Sequence, residues 1–151
     1  MKFLADSMLG RLTRWLRLSG YDVFYSEKLG DEDILDLAVK EGRVVLTRDR
    51  ELKDKADGRG IDSVRIVSND LIDQLRQLTK EKGIDVKSTP EHARCPMCNS
   101  IVRRTDKSEA VGKVPETVLR DVEEFWACGS CNKIYWHGGH WNNIREIAER
   151  I

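Results

Sequence analysis

Two pairs of cysteines constrain this chain more than any other feature. Cys95-Pro-Met-Cys98 and Cys128-Gly-Ser-Cys131 account for all four cysteines in 151 residues, with 29 residues between the pairs. Each pair is a tight turn, and each is followed by a strand-like run, Ser100 to Arg104 and Lys133 to Trp136. Four sulfurs at this spacing predict a tetrahedral Zn²⁺ site of the zinc ribbon kind. Four protein ligands leave no open position, so the zinc is expected to be structural. Its binding would contribute on the order of 10 kcal/mol to a module with little core of its own. A redox dithiol would need only one such pair, in a thioredoxin-like setting that is absent. Arg94, Arg103, Arg104 and Lys133 lie close enough in sequence to offset a negative thiolate centre, or to meet phosphates. Trp126, Tyr135, Trp136 and Trp141 suit either packing or stacking on unpaired bases. With four sulfurs in hand, His137 and His140 are expected in turns or packing.

Upstream, the chain changes character. Lys2-Phe-Leu-Ala is a short apolar run that stops at Asp6, and Val44-Val-Leu-Thr-Arg stops at Asp49. Both read as buried strands with an acid at the carboxyl end. Between them, residues 7–20 carry apolar positions 9, 12, 15, 16 and 18 and close on Gly20, a helix pattern whose polar side holds Arg11, Arg14 and Arg17. Tyr21–Tyr25 reads as a strand, and Asp31 opens a helix, as its N-cap, that stops at Gly42. A short charged helix follows Asp49, then a strand at Ser63–Val67, then a helix capped by Ser68-Asn69-Asp70 and ending near Gly83. Strand and helix alternate four times in 83 residues, which predicts an α/β fold with a parallel sheet and helices on both faces. Should the strands ending at Asp6 and Asp49 be parallel neighbours, both acids emerge at the rim where such sheets place their sites. Their repulsion is then relieved by a Mg²⁺ or Mn²⁺ ion. The plainer alternative is that each Asp caps the helix after it. Residues 84–91 interrupt the alternation as a linker, giving expected units at 1–88, 89–140 and a closing helix at 141–151.

Composition sets the remaining bounds. Lys plus Arg and Asp plus Glu each number 26, so a nucleic-acid role has to rest on local charge. No run approaches the ~20 apolar residues of a membrane span, the start is too short for a signal peptide, and a cytoplasmic protein is expected.

Taken together, residues 3–22, Asp31-Glu-Asp-Ile-Leu35, Leu46-Thr-Arg-Asp-Arg50, both cysteine pairs and Ile134-Tyr-Trp-His-Gly-Gly-His-Trp141 resemble the Mut-seven C-terminal RNase domain family, a branch of the PIN-domain nucleases with an appended zinc ribbon. The resemblance covers almost the whole chain. It implies a PIN-like three-layer fold and metal-dependent cleavage of RNA. Residue by residue, Asp6 matches the first acid, Asp31 or Asp33 the second and Asp49 the third; the chain departs from the family at the fourth acid, for which Asp70 is the candidate. On this basis Asp6, Asp31 or Asp33, and Asp49 would hold Mg²⁺ or Mn²⁺. Thr47 and Arg48 would position the third acid and the scissile phosphate, and Arg11 and Arg14 would steer single-stranded RNA. The rival from another class is a binding module whose acids are caps and whose ribbon docks RNA or protein without cutting. A phosphoacceptor receiver domain expects adjacent acids after the first strand, whereas Asp6 stands alone.

Overall fold

The computed structural model describes residues 1–87 and 89–151; Ser88, the expected end of the first unit, lies outside the described residues, as does the side chain of His140. Four strands, β1 (Lys2–Ala5), β2 (Asp22–Tyr25), β3 (Val44–Thr47) and β4 (Ser63–Arg65), form one sheet in the order β2-β1-β3-β4. Every pairing is parallel, with Ala5 opposite Tyr25 on one side and Leu46 on the other. The helices α1 (Gly10–Leu18), α2 (Asp31–Glu41), α3 (Arg50–Gly58) and α4 (Leu71–Lys82) alternate with these strands.

The period-two pleat divides the strand side chains between two cores. Phe3, Ala5, Val23, Val44 and Leu46 pack with Leu12 and Leu16 of α1 and Leu71, Leu75 and Leu78 of α4. Leu4 and Val45 point the other way, onto Ile34, Leu35 and Ala38 of α2 and Leu52 and Ala56 of α3. The strands are therefore buried on both faces, which is why they read as continuous apolar runs. Removing one such side chain, as in Leu46→Ala, costs about 2–5 kcal/mol.

Several boundaries differ from the sequence expectation, each for a local reason. The first helix is split, because the Asp6 side chain accepts the Met8 N–H and tightens Ser7–Leu9 into a 3₁₀ turn ahead of α1. Asp31 is not an N-cap; Gly30 occupies that position and Asp31 is the first helical residue. The strand beginning at Ser63 ends at Arg65, and the closing helix α7 (Gly139–Ala148) begins before Trp141.

The cysteine module holds β5 (Val102–Thr105), two short helices α5 (Lys107–Ala110) and α6 (Glu116–Asp121), then β6 (Phe125–Cys128) and β7 (Ile134–Trp136). The three strands pair antiparallel in chain order, with β6 central and all four of its residues buried. Trp141 and Ile144 of α7 pack into this module, while Ile147 and Ile151 reach back to the α1–α4 core.

Arg17 joins the two parts. Expected on a solvated stripe with Arg11 and Arg14, it is instead buried, donating from Nε and Nη2 to the Val23 carbonyl at 3.1 and 2.8 Å and from Nη1 to the Pro96 carbonyl at 3.0 Å. Burial lowers the Arg17 pKa, while Cys95, Cys98 and Asp22 oppose that shift. Asn99, left-handed at φ 70° after the first cysteine turn, accepts the Val23 N–H at 3.1 Å and donates to Asp22 at 2.8 Å. Gly20, at φ +93°, lies so near the His92 carbonyl that a Cβ would come within 2.6 Å of that oxygen.

Candidate active site and metal centre

The strand order places a topological switch point between β1 and β3: β2 lies on one side of β1, and the chain then crosses to β3 on the other. Open α/β sheets bind ligands in the crevice at the carboxyl ends of such strands. Asp6 follows β1 directly and continues its ladder, its N–H donating to the Leu46 carbonyl at 3.0 Å, so it stands level with Thr47. Its side chain is buried at 7% exposure. Oδ1 accepts the Met8 N–H at 3.0 Å; Oδ2 accepts the Thr47 hydroxyl and, at 3.2 Å, the Arg48 N–H.

Thr47 is fully buried and serves both acids. Its hydroxyl donates to Asp6 and accepts the Asp49 N–H at 2.9 Å. Asp49 caps α3, its Oδ1 accepting the Glu51 N–H at 2.8 Å, and its side chain is exposed. The Asp6 carboxylate and the Asp49 main chain, 43 positions apart in sequence, are thus tied through one hydroxyl.

The other candidates sit differently. Asp31 is 3.2 Å from Lys55 Nζ, which also reaches Glu51 at 3.2 Å. Asp33 is exposed on the first turn of α2. Asp70 caps α4 by accepting the Ile72 and Asp73 N–H groups at 2.9 and 3.1 Å. The Arg48 guanidinium donates to the Asn69 side chain, which brings the β4–α4 loop to the same rim; Asn69 drew no notice in the sequence beyond its place in a cap. Arg11 and Arg14 are exposed on α1, which starts beside Asp6.

Hard divalent cations take oxygen ligands, which these carboxylates supply. Asp49 Oδ2 has no hydrogen-bond partner among the described residues, and Asp6 Oδ1 has one, so both retain lone pairs. The acids do not, however, meet as a preassembled trio. Among the described residues, the four cysteines are the one group of three or more His, Cys, Asp or Glu whose ligand atoms all lie within 4.8 Å of one another.

That cysteine group fits zinc. The Cys95 and Cys131 sulfurs lie 3.5 Å apart and those of Cys98 and Cys128 3.4 Å. A tetrahedron with Zn–S bonds of about 2.3 Å has edges of about 3.8 Å, so slight expansion accommodates the ion. A hydrogen bond with the Ser100 side chain lowers the Cys98 thiol to about 6, whereas burial pushes Cys131 up to about 12 and Cys128 above its ordinary value. Burial and a 3.1 Å contact with Cys95 Sγ raise the Tyr135 phenol. His137 is exposed and meets Trp126 edge-on, with ring centroids 5.3 Å apart.

A family profile described as Mut7-C RNAse domain matches residues 1–148. The chain belongs to that family. No curated protein matches the chain. Membership in the Mut7-C RNAse domain family gives a ribonuclease-like function, with RNA as substrate or partner. For this Mut7-C chain the α/β architecture, the four-stranded parallel sheet between helices and the zinc-competent cysteine cluster follow from the structure itself. No described helix is long and apolar enough to cross a membrane.

Proposed function

We propose that this protein is a PIN-like, metal-dependent ribonuclease acting at the rim of the parallel sheet, with a structural zinc ribbon as its second unit. The observation that carries this reading is the link between Asp6 and Asp49 through Thr47, at the switch point of the sheet. Two separate helix caps would not require a shared, fully buried hydroxyl.

In this reading Asp6 and Asp49, joined by Asp31 or Asp33 from α2, hold Mg²⁺ or Mn²⁺. When bound, that ion would activate an attacking water and offset charge developing on the phosphodiester. The chain's own residues prepare the site. Thr47 and the Arg48 N–H fix the buried Asp6 carboxylate in one orientation. Thr47 also holds the Asp49 backbone, so the second acid is placed by the first. Arg48, steadied by Asn69, sits where it can meet the scissile phosphate, and Arg11 and Arg14 lead the RNA backbone along α1. Asp31 is held by Lys55 and has to exchange that partner for the metal. Residues 1–88 carry the chemistry, 89–140 the zinc-held module, and 141–151 close across both.

The test is Mn²⁺-dependent cleavage of a single-stranded RNA oligonucleotide by the wild type and by Asp49→Asn, which keeps an acceptor for the Glu51 N–H. The expected result is retained folding and a rate lower by at least about 10²-fold. Equal rates would remove Asp49 from the mechanism, and RNA retention with no metal-dependent product would favour the non-catalytic binding module.

A further inference from the structure

A groove of ≈ 400 Å³ runs between α1 and the cysteine module. Arg11, Arg14 and Trp15 form one wall; Met97, Lys133 and Tyr135 form most of the other. Arg11, Arg14 and Lys133 are exposed, and none of the three side chains has an ion pair or hydrogen bond among the described residues. Some cations elsewhere are paired with nearby acids, as Arg43, Lys55, Arg59 and Lys82 are. An adjoining recess of ≈ 170 Å³, sharing Arg14 and Met97 with the groove, has Glu27 as its acid, and Glu27 is engaged by the Tyr25 hydroxyl at 3.0 Å. Between the cations the lining is apolar and aromatic: Met97 is 51% exposed, and Trp15 and Tyr135 are half-buried.

Three unpartnered cations around an apolar and aromatic floor match a strand with charged phosphates and unpaired bases better than a duplex, whose bases are covered. One wall of the groove starts on the first turn of α1, the helix that follows the turn Asp6 caps. Resting on the RNA reading above, we propose that the zinc-held module supplies half of a single-stranded RNA groove. An unpaired base lies against Met97 and Trp15 while the flanking phosphates meet Arg11 and Arg14 on one wall and Lys133 on the other. The module would thereby take part in substrate binding through Lys133 and Met97, residues that neither ligate zinc nor touch the acids.

The experiment measures binding of a fluorescein-labelled oligouridylate, without added Mn²⁺, by wild type, Lys133→Glu, Met97→Glu and Lys40→Glu. Lys40, exposed on α2 across the sheet from α1, is the control. Zinc content and thermal melting establish that each variant is folded. The expected result is at least roughly fivefold weaker binding for Lys133→Glu, with the slope of log K against log salt smaller by about 0.7. Met97→Glu should weaken binding with it, and Lys40→Glu should match the wild type. Wild-type affinity in both groove variants overturns the proposal, as does capture of an oligoglutamate peptide in place of RNA. Mn²⁺-dependent cleavage is scored separately. Groove-dependent binding without cleavage leaves this inference standing and removes the nuclease reading; cleavage with groove variants that bind normally does the reverse.

Discussion

Replacing Thr47 with valine tests how the two acids are joined. The side chain is fully buried, and valine has nearly its shape, so the packing loss is small and the effect comes from the hydroxyl. One lost bond runs to the Asp6 carboxylate, a charged acceptor, and is worth about 1.5–3 kcal/mol. The other loss leaves the part-buried Asp49 N–H without its acceptor, at about 1 kcal/mol. Together they predict destabilisation of about 2–4 kcal/mol, or a fall in Tm of about 5–15 °C for a chain of this size. Thr47→Ser keeps the hydroxyl and loses only a methyl group, so it should stay within about 1.5 kcal/mol of the wild type. Urea unfolding at saturating zinc measures both. A valine variant within about 0.5 kcal/mol of wild type, or one no worse than serine, would refute the idea that this hydroxyl holds the rim together.

Three further outcomes follow from the seam and the metal centre. Although burial raises it, hydrogen bonds from Arg43 and Asn99 hold the Asp22 carboxyl below its ordinary range. A lowered folded-state pKa stabilises above the unfolded value near 4, and that contribution is lost as pH falls through the folded value. Asp22→Asn should therefore flatten the stability profile below about pH 4 in acid titration of unfolding. Gly20→Ala, facing the His92 carbonyl at positive φ, should cost about 2–4 kcal/mol in the same assay, with Gly58→Ala, which has open space, as the neutral comparison. Zinc chelation should abolish the near-ultraviolet signal of Trp126, Trp136 and Trp141, while α1 to α4 retain most of the far-ultraviolet helical signal.

What the sequence made legible was whatever depends on near neighbours. The apolar runs at β1 and β3, the glycine stops at Gly42 and Gly83 and the cysteine spacing all report local geometry, and each has its counterpart in the structure. β6 escaped notice because Phe-Trp-Ala-Cys leads straight into an expected zinc ligand and its Trp was read as a packing or stacking group; its central place depends on partners at Val102 and Trp136. Arg17 escaped for a different reason. Its spacing with Arg11 and Arg14 signals an exposed stripe, and only the docked cysteine turn, 79 residues away, buries it. At the rim, strand-end acids were visible as a pattern, whereas the shared role of Thr47 and the tie from Arg48 to Asn69 arise only when parallel strands are brought level.

The most direct measurement is anomalous scattering from a crystal soaked in Mn²⁺ with zinc retained. A manganese peak in contact with the carboxylates of both Asp6 and Asp49, lost in Asp6→Asn, is the predicted result. Clear density for both side chains with manganese bound only elsewhere, and each acid still satisfied by backbone amides, would contradict the metal-dependent nuclease proposal.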